Sequence, residues 1–351
     1  MVRQNILMAN KNFSQLNEYF STREGKTFLL VHGNSMNKLR IGSFFDEVQN
    51  HYNVKIIHFT DYHPNPDYES IKKGIDIWNI EKCNEIIAVG GGSAIDVAKC
   101  IKLFVNINPN ENYLKQTIFP SDIPFLAIPT TAGSGSEATQ FAVVYHEGKK
   151  YSVDNESARP NTVYFDATAI QNLPEYQKKS TLLDALCHAI ESSWSLRANR
   201  ESLQYSSEAI RLIEANREIF VSPNPDLQCC TFMLYAAHLA GQAINISRTT
   251  AGHAMSYKLA SLYKLAHGHA VALCLAYLFP LMQHFYNLPI EIDLYSILRK
   301  WNLIQPLNFN REILEELVHS VNIERLLNNP VKLNEDDLRM IYKKVLSGEN
   351  L

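Results

Sequence analysis

Apolar and polar positions along this chain follow two rhythms, and the change falls near residue 175. Before it, short apolar and β-branched runs alternate with stretches of helical spacing. Thr27–His32, Val54–Thr60, Glu85–Val89, Phe125–Pro129 and Val163–Asp166 read as strands. Between several of them, Lys38–Asn50, Tyr68–Ile80 and Ala94–Val105 repeat their apolar residues as helices do. Alternation of this kind predicts parallel βαβ units. Ala142–Tyr145 and Tyr151–Val153 flank Glu147-Gly148-Lys149-Lys150 and read as a hairpin.

After Pro174 the strand signal fades. Helical spacing runs through Leu182–Leu196, Leu203–Phe220, Thr231–Ile246, Ala254–Leu265, Val271–His284 and Ile290–Leu303. Asn334 followed by Asp337 caps a last helix, Glu335–Leu346. The pattern predicts an α/β N-terminal domain, 1–175, and an all-α C-terminal domain, 176–351. Ligands often bind in clefts between such domains.

Composition adds exclusions. A length of 351 residues suits two domains. With 33 Lys plus Arg against 36 Asp plus Glu, the chain lacks the basic excess of a dedicated nucleic-acid binder. Its six cysteines form no C-x-x-C pair and no regular framework, which predicts reduced thiols in a cytoplasmic protein. No run approaches the roughly 18 apolar residues of a membrane span. The best stretch, Ala270–Met282, is short and contains Pro280. The opening residues, Met1 to Ile6, hold no apolar run of signal-peptide length.

Two polar turns follow predicted strands. Glu85-Ile-Ile-Ala-Val89 leads into Gly90-Gly91-Gly92-Ser93 and then a helix. Glycines admit a pyrophosphate close to the backbone, and the free N–H groups of a helix start attract anions. The pattern is not G-x-G-x-x-G, so it departs from the ordinary Rossmann fingerprint. Pro129-Thr130-Thr131-Ala132-Gly133-Ser134-Gly135-Ser136-Glu137 is a second turn of small donors. Either alone fits a plain solvated connection. Together, at one edge of a doubly wound sheet, they favour a nucleotide site.

Asp184 and His188 stand at i and i+4, so a helix points them the same way. Their apolar neighbours predict burial, and a buried carboxylate needs a partner. A core Asp–His hydrogen bond would suffice. His253 opens one helical pattern and His267 precedes another. One Asp and three His would make a mixed N/O site for a divalent transition metal. Histidines at helix ends also serve simply as caps.

The chain resembles the iron-containing (group III) alcohol dehydrogenases from about Thr27 to Leu346. Gly90-Gly-Gly-Ser-Ala-Ile-Asp-Val-Ala-Lys99 is similar to that family's GGGSxxDxAK. Pro129-Thr-Thr-Ala-Gly-Ser-Gly-Ser-Glu137 is similar to its PTTAGxxSE, and Asp184-Ala-Leu-Cys-His-Ala-Ile-Glu191 to its DAxxHAxE. His253 and His267 have the separation of its last two metal ligands. The resemblance implies a dehydroquinate synthase-like fold and Fe²⁺, or Zn²⁺, on Asp184, His188, His253 and His267. It implies a nicotinamide dinucleotide held by Gly91, Gly92, Ser93 and Asp96, with Thr130, Thr131 and Ser134 along the adenosine and ribose. Lys150 would lie near the cofactor ribose, and Asn65, in His63-Pro-Asn-Pro-Asp67, near the nicotinamide. The implied chemistry is Lewis-acid activation of an aldehyde toward hydride. Members are commonly dimers or larger.

Departures sharpen this. Many members carry an Asp after the first strand, where this chain has Gly33-Asn34-Ser35 and then Lys38. A missing carboxylate removes repulsion against a 2′-phosphate, so NADPH is expected over NADH. Tyr257 stands where many members carry a His. As the residue at the catalytic position it would donate a hydrogen bond or pack against substrate. Arg248, Thr250 and Lys258 flank His253 and predict a pocket for a small anionic aldehyde. The same segment resembles the phosphonoacetaldehyde reductase branch, which implies reduction of phosphonoacetaldehyde to 2-hydroxyethylphosphonate. Other readings are a general short-chain alcohol dehydrogenase, a sugar-phosphate cyclase of the dehydroquinate synthase type and a non-catalytic nucleotide-binding module. A complete ligand set disfavours a metal-independent relative such as a maleylacetate reductase.

Overall fold

The computed structural model describes residues 4–286, 288 and 290–349, so Met1 to Arg3 of the opening stretch lie outside the described residues. The chain forms two compact units. One holds the residues up to Thr131 with Ser136–Asn172 and Asp226–Leu234; the other holds Ala132–Gly135, Leu173–Pro225 and the chain from Tyr235 onward. The two units thus interleave along the sequence.

The first unit contains strands β1 (Asn5–Met8), β2 (Thr27–His32), β3 (Lys55–Phe59), β4 (Glu85–Gly90), β5 (Phe125–Pro129), β6 (Phe141–His146), β7 (Lys149–Asp154) and β8 (Thr162–Phe165). Six of them form a parallel sheet in the order β1-β8-β5-β4-β2-β3. Its helices are α1 (Ser14–Ser21), α2 (Arg40–Tyr52), α3 (Tyr68–Glu81), α4 (Gly92–Phe104) and α5 (Thr168–Gln171). Every residue of β4 and β5 is buried, as a parallel sheet covered on both faces requires. One face packs Leu16, Phe20 and Phe45 against Phe28, Leu30 and Ile128. The other packs Ile71, Ile75, Val97 and Ile101 against Leu29, Val31 and Ala88. The hairpin is tighter than the sequence suggests. Glu147 and Gly148 alone make the turn, both at positive φ, and Lys149 and Lys150 already belong to β7.

The second unit is helical. It contains α6 (Glu175–Trp194), α7 (Arg200–Val221), α8 (Leu227–Ser247, from Tyr235), α9 (Ala251–Tyr263), α10 (His267–Met282), α11 (Leu294–Lys300), α12 (Arg311–His319), α13 (Ile323–Leu326) and α14 (Glu335–Ser347). Asn334 and Asp337 form the expected capping box of α14. The helix expected over 290–303 shrinks to α11, because Asp293 accepts from the Ser296 N–H and starts it there. Asn310 and Asn322 cap α12 and α13 in the same way, and periodicity alone does not reveal those two short helices.

Contrary to the expectation of too short a run, α10 with its 3₁₀ extension, His267–Phe285, is long and apolar enough to cross a membrane. Because 67% of it is buried inside the protein, its composition is that of a core helix.

Gly25 and Gly135 both adopt a left-handed backbone, but only Gly135 is enclosed. A Cβ there would lie 2.6 Å from Gly241 Cα and 2.8 Å from the Ala237 carbonyl oxygen, whereas Gly25 meets nothing within 4 Å. Gly25→Ala should therefore cost only the conformational penalty, about 1 kcal/mol, and Gly135→Ala about 3 kcal/mol or more. Urea unfolding of the two variants checks the ordering, and equal midpoints would contradict it.

Candidate metal centre and dinucleotide turns

The second unit builds its polar cluster on α6. Leu182, Leu183, Leu186 and Ile190 are fully buried, so this helix is enclosed and carries Asp184, His188 and Glu191 inward with them. Two glycines let neighbouring helices approach it. A Cβ on Gly268 would sit 2.0 Å from the Ser180 carbonyl oxygen and 2.7 Å from Asp184 Cβ. A Cβ on Gly252 would meet Glu191 Oε1 at 3.1 Å and Leu275 Cδ1 at 2.9 Å. His267 and His253, next to these glycines, are thereby delivered to Asp184.

The four expected ligands do come together. Asp184 Oδ1 lies 3.9 Å from His188 Nε2, 3.6 Å from His253 Nε2 and 3.7 Å from His267 Nε2. Asp184, His188 and His253 are buried and offer ligand atoms all within 4.8 Å of one another. The His188 and His253 rings stack at 4.6 Å and 13°. Asp184 Oδ1 and His253 Nε2 are buried yet make no hydrogen bond. Atoms bound at about 2.1 Å to one tetrahedral ion stand about 3.4 Å apart, near the spacing seen here. An orphaned carboxylate oxygen among imidazole nitrogens, with no thiolate, fits iron or zinc.

Electrostatics agree with that fit. Burial pushes the His188 imidazole down to about 4 despite the pull of Asp184, so it is neutral at physiological pH. Burial works to raise the Asp184 carboxyl, but the imidazoles of His188 and His267 outweigh it and hold Asp184 well below the usual range. Glu191, fully buried, accepts from the Thr250 N–H at 3.1 Å, the Thr250 hydroxyl at 2.8 Å and the His253 N–H at 3.2 Å. It also accepts a hydrogen bond from His253 Nδ1. Despite burial, these contacts, His253 foremost, hold Glu191 below its ordinary range, so it is an acceptor only. His253 Nδ1 must then carry the proton, leaving the Nε2 lone pair on the cluster side. Sequence reasoning assigned Glu191 no role, although it stands seven residues after Asp184.

In the first unit the two polar turns emerge side by side. Gly90 pairs with Pro129 across β4 and β5, and the Thr130 N–H donates to the Gly90 carbonyl at 3.0 Å. Gly91 caps α4, with Gly92 and Ser93 opening it, and a Cβ on Gly91 would touch Thr131 Oγ1 at 3.2 Å. The Ser93 hydroxyl donates to the Pro64 carbonyl and so fastens the exposed loop that carries Asn65. Gly33 leads from β2 into a 3₁₀ turn on which Asn34 and Ser35 are exposed. Lys150 is half-buried on β7. Ser134 belongs to the stretch that packs with the second unit. The oxygens of Asp96 accept from the Ser136 hydroxyl at 2.6 Å and the Val143 N–H at 3.0 Å, and Lys99 Nζ lies 3.8 Å away. Asp96 thus fastens α4 to the hairpin.

The expected substrate pocket also changes. Lys258 is paired with Glu316 at 2.5 Å. The Thr250 hydroxyl donates to Glu191 and accepts from Trp194 Nε1 at 3.0 Å. Thr250 is fully buried, and Lys258 is half-buried within its ion pair. Arg248, at positive φ, is half-buried where α8 gives way to the turn before α9. The Tyr257 ring stacks on His267 at 5.8 Å and 2°. Above Tyr257, at 5.4 Å from its centroid, lies the guanidinium of Arg325, which sequence reasoning missed.

Comparisons with known proteins agree with this architecture. Residues 4–167 match the model of the iron-containing alcohol dehydrogenases, and residues 178–289 match the model of the C-terminal part of that family. The chain belongs to the iron-containing alcohol dehydrogenase family, whose members are NAD(P)-dependent oxidoreductases that bind iron. It is similar to aldehyde-alcohol dehydrogenase 2 of Entamoeba histolytica, 34% identical over 63% of this chain and 27% of that protein. It is also similar to the phosphonoacetaldehyde reductase of Streptomyces viridochromogenes, 31% identical over 54% of this chain and 51% of that protein. The chain thus spans about a quarter and about half the length of these curated relatives. Among solved structures, sulfoacetaldehyde reductase from Bifidobacterium kashiwanohense, in complex with NAD⁺, shares the fold. Its TM-score is 0.88 at 22% identity, over 99% of this chain and 98% of that one.

Glu191→Gln would set an amide N–H against the His253 Nδ1 proton and disfavour the tautomer that metal binding needs. Metal affinity, measured by competition with a chelator, should fall about 10- to 100-fold while the far-ultraviolet circular dichroism stays native. Undiminished affinity would show that Glu191 does not orient the ligand.

Proposed function

We propose that this protein is a metal-dependent, NAD(P)H-linked alcohol dehydrogenase working as an aldehyde reductase on a small anionic aldehyde, with phosphonoacetaldehyde the first candidate. The observation that carries the reading is the buried convergence of Asp184 Oδ1 and His253 Nε2, neither with a hydrogen-bond partner, with His188 and His267. In this reading Asp184, His188, His253 and His267 hold the metal. The turns at Gly33-Asn34-Ser35, Asn65, Gly91-Gly92-Ser93, Thr130-Thr131 and Ser134, with Lys150, hold the dinucleotide. Iron there supplies Lewis acidity toward a carbonyl oxygen, and NAD(P) supplies or accepts the hydride.

The chain's own part is positioning. Glu191 keeps His253 in one tautomer, and Gly252 and Gly268 keep α9 and α10 at the distance the ligands need. Tyr257, packed on His267, is the wall against which substrate lies. The chain after β2 offers no carboxylate to repel a 2′-phosphate and has Lys38 exposed nearby, which supports NADPH. The six cysteines are free and buried, which suits a reducing compartment such as the cytoplasm. The anionic substrate is supported by the Streptomyces relative. The Entamoeba aldehyde-alcohol dehydrogenase supports a second reading, a general alcohol dehydrogenase without an anionic substrate group.

Metal-loaded protein should consume NADPH faster than NADH when phosphonoacetaldehyde is added, followed by nicotinamide absorbance. A chelator should abolish this, and Fe²⁺ or Zn²⁺ should restore it. Nucleotide that binds but is never oxidised by any aldehyde would overturn the proposal in favour of a binding module. Equal rates on acetaldehyde and phosphonoacetaldehyde would favour the neutral substrate.

A further inference from the structure

We infer that Arg325, on α13, is the residue that receives the anionic group of the substrate beside the metal centre. The inference rests on the reading that this site handles a small anionic aldehyde, and it names the group that recognises the anion.

Arg325 is half-buried, and among the described residues no carboxylate lies within ion-pair range of it. Three other cations of the same unit are ion-paired: Lys258 with Glu316, Arg217 with Glu214, and Arg339 with Glu315, Glu335 and Asp336. One guanidinium nitrogen, Nη1, donates to the Thr249 hydroxyl. Among the described residues Nε and Nη2 have no acceptor. The free edge of the guanidinium is thus a planar donor pair of the shape that binds a carboxylate or a tetrahedral oxyanion through two parallel hydrogen bonds.

The arginine is also held in place. The Asn328 amide donates to the Ser247 carbonyl at 2.8 Å and to the Thr249 carbonyl at 3.1 Å, which ties the chain just after α13 to the 247–249 turn. The Ser195 hydroxyl donates to the same Ser247 carbonyl at 2.6 Å. Thr249 and Asn328 are both buried. Tyr257 lies under the guanidinium and also stacks on His267, so two contacts connect the free donor edge to the ligand set. A pre-ordered, partly desolvated guanidinium loses little entropy on binding and is weakly screened.

The test compares phosphonoacetaldehyde, sulfoacetaldehyde and succinic semialdehyde with neutral propionaldehyde, in the wild type, R325Q and R325K, all metal-loaded. R325Q should lower the anionic-to-neutral ratio of kcat/KM about 30-fold for at least one anion, mostly through KM. R325K should recover part of it, since it keeps the charge and loses the fork. The anion with the largest loss identifies the physiological group. A ratio unchanged for all three anions overturns the inference. Calorimetric titration with phosphonoacetate supplies a readout without turnover. Binding at least 10-fold weaker in R325Q supports the assignment, and equal binding overturns it even if no aldehyde is reduced. If R325Q does not fold, R325M is titrated in its place and judged by the same criterion. Failure of all aldehydes in a wild type that still binds phosphonoacetate through Arg325 would sink the proposed reaction and leave the anion site standing.

Discussion

A carboxylate oxygen buried among imidazole nitrogens without a hydrogen bond is sustained only by a cation or at considerable expense. Asp184 is in that position. Its oxygen is orphaned, the nearest nitrogens are too distant for hydrogen bonds, and His188 is neutral at physiological pH. Leaving such a charge uncompensated costs several kcal/mol. The arrangement of the helices follows from it. α6 must be buried to bring Asp184 and His188 inward, and α9 and α10 must come close enough that no side chain fits between backbone and α6 at Gly252 and Gly268. Metal binding and packing of the helical unit are therefore one problem, and removal of a ligand would be felt as lost stability as well as lost affinity.

Glu191 makes the cluster specific in its protonation. A histidine presents either ring nitrogen, and the choice is set by what the other nitrogen touches. Here Glu191 accepts a hydrogen bond from Nδ1, and Thr250 and the His253 N–H hold Glu191 in turn. Trp194 donates to the Thr250 hydroxyl and completes the chain. Thr250 thus serves the metal centre through a carboxylate rather than by meeting substrate. Its place beside His253 invited the other interpretation, because sequence proximity does not say which way a hydroxyl points.

What could be read from the chain depended on how local its physics was. Parallel strands β2 and β5 stood out because burial on both faces makes them continuous apolar runs. The ligand pair on α6 stood out because i, i+4 spacing is a property of one helix. β1 was too short to register, and α12 and α13 begin at lone Asn caps that a periodicity count passes over. Asp96 sits in the glycine-turn motif, yet its partners Ser136 and Val143 come from elements 40 and 47 residues away. Lys258 looked like a substrate cation until folding brought Glu316 to it. Motif membership is a local property, whereas the partners of these side chains come from across the fold.

The same reasoning explains why charge selectivity should reside outside the ligand motifs. A cation on the helix that carries a metal ligand lies on a packed element, where neighbouring acidic residues can reach it, as Glu316 reaches Lys258. An arginine on a four-residue helix, fastened at one end by Asn328 and resting on an aromatic ring, keeps its donors unspent. A constant electrophilic centre with a replaceable recognition group beside it is how one architecture can serve aldehydes of different charge.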